Sequence, residues 1–207
     1  MKKFKIRCSA IGQIMTNPRA KKDKLSGSTK TYCQKWLKEQ IYGAREFNGN
    51  KYTEKGIQME DEAIDFLSSV SSAFMLKNEE SFEDEWMTGT PDIILDDTII
   101  DIKNSWDMWT FPLFEDNIPT KDYFYQLQAY MHLTGRKKAR LVYCLMDTPE
   151  ELLNQWTDVP YSYEGLDTKY RIKTYEVEYY EEIIKKIQER VEDCREYIKE
   201  LMDGIHK

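Results

Sequence analysis

Gly89-Thr90-Pro91-Asp92-Ile93-Ile94-Leu95-Asp96-Asp97-Thr98-Ile99-Ile100-Asp101-Ile102-Lys103 consists of two apolar, β-branched runs separated by an Asp-Asp pair. Such runs around a short polar break read as a β-hairpin. With Asp96 and Asp97 as the loop, Leu95 lies opposite Thr98, Ile94 opposite Ile99, Ile93 opposite Ile100 and Asp92 opposite Asp101. Residues directly opposite share a face, and so do positions i and i+2 of one strand. Asp92, Asp101 and Lys103 therefore project to one side. Ile93, Leu95, Ile100 and Ile102 project to the other, towards a core.

Two carboxylates facing each other across a strand pair repel, at a cost of up to about 1 kcal/mol. A divalent cation between them turns repulsion into coordination, because Mg²⁺ takes carboxylate oxygens and keeps positions open for phosphate and water. Lys103 on the same face then orients an attacking water or holds the phosphate. The competing reading is an exposed hairpin with scattered surface charges.

Outward from the hairpin, Thr53 reads as the N-cap of a helix over 54–69, with an apolar stripe of Ile57, Ala63, Ile64 and Leu67. Glu60 falls in the middle of that stripe. A carboxylate facing the interior needs either a metal or a Lys or Arg partner. It is a candidate third acidic ligand, with a buried ion pair as the alternative. After Lys103, the segment holding Trp106, Trp109, Pro112 and Pro119 reads as a long loop over the site. Trp106 or Trp109 either stacks on a base, a contact worth about 1–3 kcal/mol, or pins the loop to the core. Lys121–Thr134 reads as a helix ending at Gly135, with Gln126 and Tyr130 on one face. Ala139–Met146 and Arg171–Glu178 read as strands. Thr148-Pro149-Glu150-Glu151 has the form of a capping box opening a helix. A stripe of apolar residues from Tyr180 to Leu201 predicts a long C-terminal helix over about 179–203.

At the start of the chain, Ser9 is a candidate N-cap for a short helix carrying Ile11, Ile14 and Met15. Arg7 and Ser9 beside a helix start suit a phosphate, although on sequence grounds alone an ordinary capped helix is the simpler reading. Residues 17–30 read as a polar loop, and 29–46 as a helix broken by Phe47-Asn48-Gly49-Asn50.

The length of 207 residues is most simply one domain. Of these residues 41% are hydrophobic, which argues against disorder. No apolar run reaches membrane-spanning length and no export signal is evident, so a cytoplasmic protein is expected. Cys8, Cys33, Cys144 and Cys194 are dispersed, which fits reduced thiols better than zinc or an iron–sulfur cluster. Two histidines give little support to His-based mechanisms. The net charge of −7 is unevenly spread. Residues 1–55 hold 14 Lys and Arg against 4 Asp and Glu, and the rest holds 16 against 33. This predicts either a basic nucleic-acid-binding face, including Arg19, Lys21 and Lys22, or a solvated lysine-rich surface.

Pro91-Asp92 followed by Asp101-Ile102-Lys103 resembles the signature of the PD-(D/E)XK nucleases, with Asp101 in place of the commoner Glu. Gly56-x-x-x-Glu60-x-x-Ala63, Thr90-Pro91-Asp92, Gln126-x-x-x-Tyr130 and Ile6-Arg7-Cys8-Ser9-Ala10 extend the similarity to the phage lambda-type exonuclease and YqaJ-like viral recombinase group, over about residues 5–178. The resemblance implies an α/β fold with a restriction-endonuclease-like core, a mixed central sheet flanked by helices. It implies that Asp92, Asp101 and Glu60, with the Ile102 carbonyl, hold Mg²⁺ or Mn²⁺. It implies further that Lys103 positions or deprotonates the water, that Gln126 supports the lysine or the DNA backbone, and that Tyr130 supports the helix face. The expected activity is exonucleolytic hydrolysis of double-stranded DNA ends, handing single strands to an annealing protein, with a ring-shaped trimer in some relatives. The alternatives are an endonuclease of the same chemistry and a catalytically idle nucleic-acid-binding protein.

Overall fold

The computed structural model describes residues 2–44, 49–71, 73–156 and 158–205. Its centre is a four-stranded mixed sheet in the order β4-β5-β6-β7, formed by Ile93–Leu95, Thr98–Asn104, Lys138–Cys144 and Ile172–Glu178. β5 and β6 are parallel and the other pairs are antiparallel. The parallel pair needs a crossover, and α5 (Lys121–Thr134) supplies it. Thr120 caps α5 by accepting from the Asp122 N–H, and Gly135 ends it in the left-handed region at φ 73°.

A smaller sheet, β1-β3-β2, is built from Ile6–Arg7, Met87–Gly89 and Phe82–Glu83. The main core lies between it and the central sheet. That core combines Ile6, Ile11, Ile14 and Met87 with Ile99, Leu127, Leu141 and Val177. It also takes in Cys33 and Leu37 of α2 (Gly27–Tyr42) and Ile184, Ile187, Val191 and Ile198 of α6 (Glu181–Ile205). On the opposite face of the central sheet, α4 (Glu60–Val70) packs Ala63, Ile64 and Leu67 on Ile93, Ile100 and Ile102. The strands are thus covered on both faces, with Ile99, Asp101 and Lys103 turned towards α5.

Gly89 allows β3 to approach α5. A Cβ there would sit 2.6 Å from Cys8 Sγ and 2.7 Å from Tyr130 Cε1, too close for any side chain.

Several local expectations are corrected. Ser9 is no helix cap: it lies in a 3₁₀ turn, Cys8–Ala10, ahead of the short helix α1 (Ile11–Ile14), and neither is side-chain capped. The second helix starts earlier than expected, at Gly27 behind the Ser26 cap, and ends at Tyr42 before Gly43. Of the expected break, Phe47 and Asn48 lie outside the described residues, as do Arg45 and Glu46 of the expected helix end. The helix expected over 54–69 is two helices, α3 (Lys51–Gln58) and α4, meeting at Met59. Asn50 caps the first, accepting from the Tyr52 and Thr53 N–H groups, so Thr53 is not the cap. The change of axis leaves Ile57 69% exposed and buries Met59 in its place. The capping box at Thr148 opens only a 3₁₀ turn, Glu150–Leu152, because the Thr148 hydroxyl donates to the Trp106 carbonyl and accepts from Lys55.

Lys55 itself is fully enclosed. Its ammonium donates to the Ser105, Trp106 and Met146 carbonyls at 2.7–3.0 Å and to Thr148 Oγ1 at 2.8 Å. An ammonium has three N–H groups, so four acceptors share them. Burial lowers its pKa to about 8, with Asp107 and Asp147 opposing. It fastens the segment leaving β5 to the one leaving β6, at the carboxyl ends of the parallel strands. Lys55→Met keeps the bulk but strands buried carbonyls, each worth about 1–3 kcal/mol when unsatisfied. We expect a loss of about 3 kcal/mol in urea-denaturation midpoints, with the slope unchanged.

Candidate active site

The hairpin has the expected register, Leu95 with Thr98, Ile94 with Ile99 and Ile93 with Ile100. Asp96 takes φ 50° in the loop, a conformation that Asp tolerates better than most residues. The ladder stops at Ile93, and the reason lies in Pro91. Antiparallel pairs alternate between hydrogen-bonded and open. Counting from the loop-flanking pair, Pro91 and Ile102 fall on a hydrogen-bonded position. Proline has no N–H to give, so the Ile102 carbonyl lacks its ladder donor. The Ile102 N–H is taken instead by Asp92 Oδ2, at 2.7 Å. Asn78 fastens the other side, its backbone N–H donating to the Asp92 carbonyl at 2.7 Å and its side chain to the Pro91 carbonyl at 2.9 Å. N–H and C=O of one strand residue point to the same edge, so the Ile102 carbonyl points into the gap beside Asp92.

Asp101 is 1% exposed. Its Oδ1 accepts from Gln126 Nε2 at 3.1 Å, and the same amide nitrogen donates to the Tyr130 hydroxyl at 3.0 Å. Its Oδ2 is paired with Lys103 Nζ at 2.6 Å and has no other partner. The contact is therefore an ion pair that leaves a buried lone pair open. Lys103 also lies 4.8 Å above the Tyr123 ring. Desolvation works to lower its pKa, but the Asp101 and Asp92 charges prevail and raise it. Asp92 responds in the opposite sense. Burial, then the neighbouring Asp101 charge, pushes its pKa up to about 7, against Lys103 and the Ile102 N–H.

Glu60, the first residue of α4, is close enough to Asp92 to contribute to that upward push. It is half-buried and bonded to Lys77 Nζ at 3.2 Å, and Lys77 also bonds Asp61 at 2.8 Å. The structure thus gives Glu60 the ion-pair partner that the sequence left as an alternative to metal. Among the described residues no three His, Cys, Asp or Glu side chains are gathered as a ready metal cage. Two carboxylates, one with a buried oxygen held by Lys103 alone and one that holds a proton near neutrality, together with a carbonyl freed by proline, nevertheless fit a hard divalent cation with oxygen preference. Glu60, held by Lys77, is a further carboxylate whose charge reaches Asp92.

The remaining candidates are spread out. Arg7 and Ser9 lie together on the wall of a groove beside β1. Arg19, Lys21 and Lys22 are in an exposed loop that Arg190 of α6 ties down through the Lys24 carbonyl. Trp106 is half-buried, edge-on to Tyr52 at 5.2 Å and covered by Lys51 at 4.5 Å, so it pins the loop. Trp109 is the exposed one, at 76%. Asp107 holds it on a tight turn through the Trp109 and Thr110 N–H groups. Sequence reasoning missed Asn78, Lys77 and Lys55. Only the consequence of Pro91 for the Ile102 carbonyl carried a signal that the hydrogen-bond alternation reveals beforehand.

Neither a family profile nor a curated protein sequence matches the chain. Solved structures do. A phage related exonuclease from Haemophilus somnus 129PT shares 32% identity, with TM-score 0.90, over 99% of this chain and 97% of its own. An alkaline exonuclease from Laribacter hongkongensis has the same fold, with TM-score 0.73 at 16% identity over 98% of this chain and 91% of its own. Its complex with dAMP superposes similarly, at TM-score 0.71. Among the described residues no helix is long and apolar enough to cross a membrane. At 32% identity over nearly the whole of both chains with a phage related exonuclease, the chain belongs to the phage-type exonucleases of the PD-(D/E)XK, YqaJ-like group.

Proposed function

We propose that this nuclease is a Mg²⁺-dependent exonuclease, also served by Mn²⁺, that hydrolyses phosphodiester bonds at double-stranded DNA ends. The observation that carries the reading is the buried Asp101 carboxylate, one oxygen of which is held by Lys103 alone, facing a protonatable Asp92. A divalent cation bound there supplies charge stabilisation at the phosphate and a more acidic water. Asp92, Asp101 and the Ile102 carbonyl hold it, and Glu60 joins them from α4. Gln126 fixes the orientation of Asp101, and Tyr130 fixes Gln126. Lys103, kept an ammonium by the Asp101 and Asp92 charges, orients the water and offsets charge at the phosphate rather than deprotonating the water. Arg7 and Ser9 hold a DNA phosphate, and Arg19, Lys21 and Lys22 add electrostatic attraction.

The free, buried cysteines suit a reducing cytoplasm, that of the host cell if the gene is phage-borne. The product strand suits a single-strand annealing protein in phage-type recombination or DNA repair, and a ring trimer would let the enzyme follow one duplex.

The test uses end-labelled linear DNA beside covalently closed circles, with Mg²⁺. Loss of the linear form alone is expected. Nicking of the circle would make the protein an endonuclease, and cleavage of neither would reduce it to a binding protein.

A further inference from the structure

We propose that Lys77 is an internal counter-ion of the metal site: it occupies Glu60 in the metal-free protein, so a divalent cation recruits that carboxylate only by displacing the ammonium. This rests on the reading of Asp92, Asp101 and Glu60 as metal donors, and adds what sets their affinity.

The chain fixes Lys77 from both sides. Two residues before it, Met75 is buried in the core on the α4 face of the sheet, and its N–H donates to Ser68 Oγ of that helix at 3.0 Å. One residue after it, Asn78 donates to the Asp92 and Pro91 carbonyls. Lys77 itself makes an antiparallel bridge to Ile93. The segment thus runs along the outer edge of β4, between α4 and the turn that presents Asp92. From there the Lys77 side chain reaches Glu60 Oε1 at 3.2 Å and Asp61 Oδ1 at 2.8 Å.

The two partners are unequal. The Asp61 side chain is 78% exposed, whereas that of Glu60 is 28% exposed and its charge reaches Asp92. Asp61 therefore gives the ammonium a solvated resting place when Glu60 turns to a metal, and an exposed pair of that kind forms and breaks at little cost. In the metal-free protein Lys103 answers Asp101 and Lys77 answers Glu60, so two of the proposed donors already carry a monovalent partner. A divalent cation has twice the charge of an ammonium and holds carboxylate oxygens at about 2.1 Å. It gains more from Glu60 than Lys77 does, but part of that gain is spent on the exchange. Lys77 thereby weakens metal binding in the resting protein.

The test reads metal binding without DNA or turnover. Mn²⁺ is titrated into the DNA-free protein at one pH and salt concentration, and the free ion is followed by its EPR signal. Wild type, Lys77→Met, Glu60→Gln and the double variant form a double-mutant cycle, each checked for folding by its melting curve in chelator. Lys77→Met should bind Mn²⁺ about tenfold more tightly than wild type, and in the Glu60→Gln background the same change should matter by less than about threefold. Lys77→Arg, which keeps the charge, should stay within about threefold of wild type. Unchanged or weaker binding by Lys77→Met overturns the proposal, as does a gain by Lys77→Arg as large as that by Lys77→Met. An equal gain in both backgrounds also overturns it, because Lys77 then acts only through its distant charge. A wild type that binds Mn²⁺ and digests linear DNA, beside an unresponsive Lys77→Met, keeps the nuclease reading and loses only the counter-ion. If none of these proteins takes up Mn²⁺, the metal site falls and both readings go with it.

Discussion

Lys103→Ala is expected to lower the rate of linear-DNA cleavage by about three orders of magnitude while leaving DNA binding within a few fold. A positioned acid–base group contributes about 10²–10⁴ in rate, and removing one charge-stabilising donor costs a similar factor. Held protonated 2.6 Å from Asp101 Oδ2, Lys103 suits the second role, that of a charge-stabilising donor. Binding, by contrast, is spread over many phosphate contacts, and losing one cation lowers the salt slope by only about one. The substitution also leaves a buried Asp101 without its cation. The metal-free variant should therefore melt below wild type, and Mg²⁺ should recover part of the difference. Digestion of end-labelled DNA and anisotropy in Ca²⁺ read the two effects separately. Near-normal cleavage by the purified variant would remove Lys103 from the mechanism.

The second large effect concerns Asp92 and pH. Its pKa is raised in the folded protein to about 7 from 3.8, by burial first and the Asp101 charge second. The native state therefore holds this proton more tightly than the unfolded chain does. The associated stability is complete below about pH 4 and is lost as pH rises through about 7. Metal-free wild type should thus lose stability progressively between about pH 4 and pH 7 and level off above, by an amount on the order of a few kcal/mol at most. Asp92→Asn imitates the protonated carboxyl and can still accept the Ile102 N–H. It should stay flat across that window and match or exceed wild type at about pH 8. Mg²⁺ must displace the proton, so its affinity for wild type should climb by up to about tenfold per pH unit below 7. The variant should gain little from Mg²⁺ and should not cut DNA. Strong destabilisation of Asp92→Asn at every pH, with a wild type indifferent to Mg²⁺, would make Asp92 a structural residue.

The hairpin was legible because a two-residue loop admits one register, and a slip by one residue would turn Ile93, Ile100 and Ile102 to the wrong face. The ends of α5 were legible because Thr120 and Gly135 are local signals. The bend between α3 and α4 was not. No Gly or Pro marks Met59, and packing on the sheet rather than propensity sets it. Lys55 was unreadable for a different reason: a lysine is ordinarily solvated, and its partners are carbonyls and a hydroxyl 50 to 93 positions away, invisible to any local pattern. The same holds for Lys77 and Glu60, which meet only once α4 and the segment before β2 are placed side by side. The two-residue strands of the smaller sheet exist because β3 lies between partners, not because their own sequences demand extension.

The charges on β5 acquire a different meaning while the chain is being made. As the protein leaves the ribosome, Ile99, Ile100 and Ile102 emerge well before residues 138–144, the parallel neighbour that will cover that edge. An uncovered, β-branched strand is the kind of segment that pairs with other nascent chains. Here it is interrupted by Asp101 and Lys103 and preceded by Asp96 and Asp97. Charges inside and beside an aliphatic run act as gatekeepers against aggregation. The pair to which we assign the hydrolysis therefore also protects its own strand before the enzyme exists, so neutral replacements at Asp101 and Lys103 are expected to carry a burden in solubility besides the one proposed in catalysis.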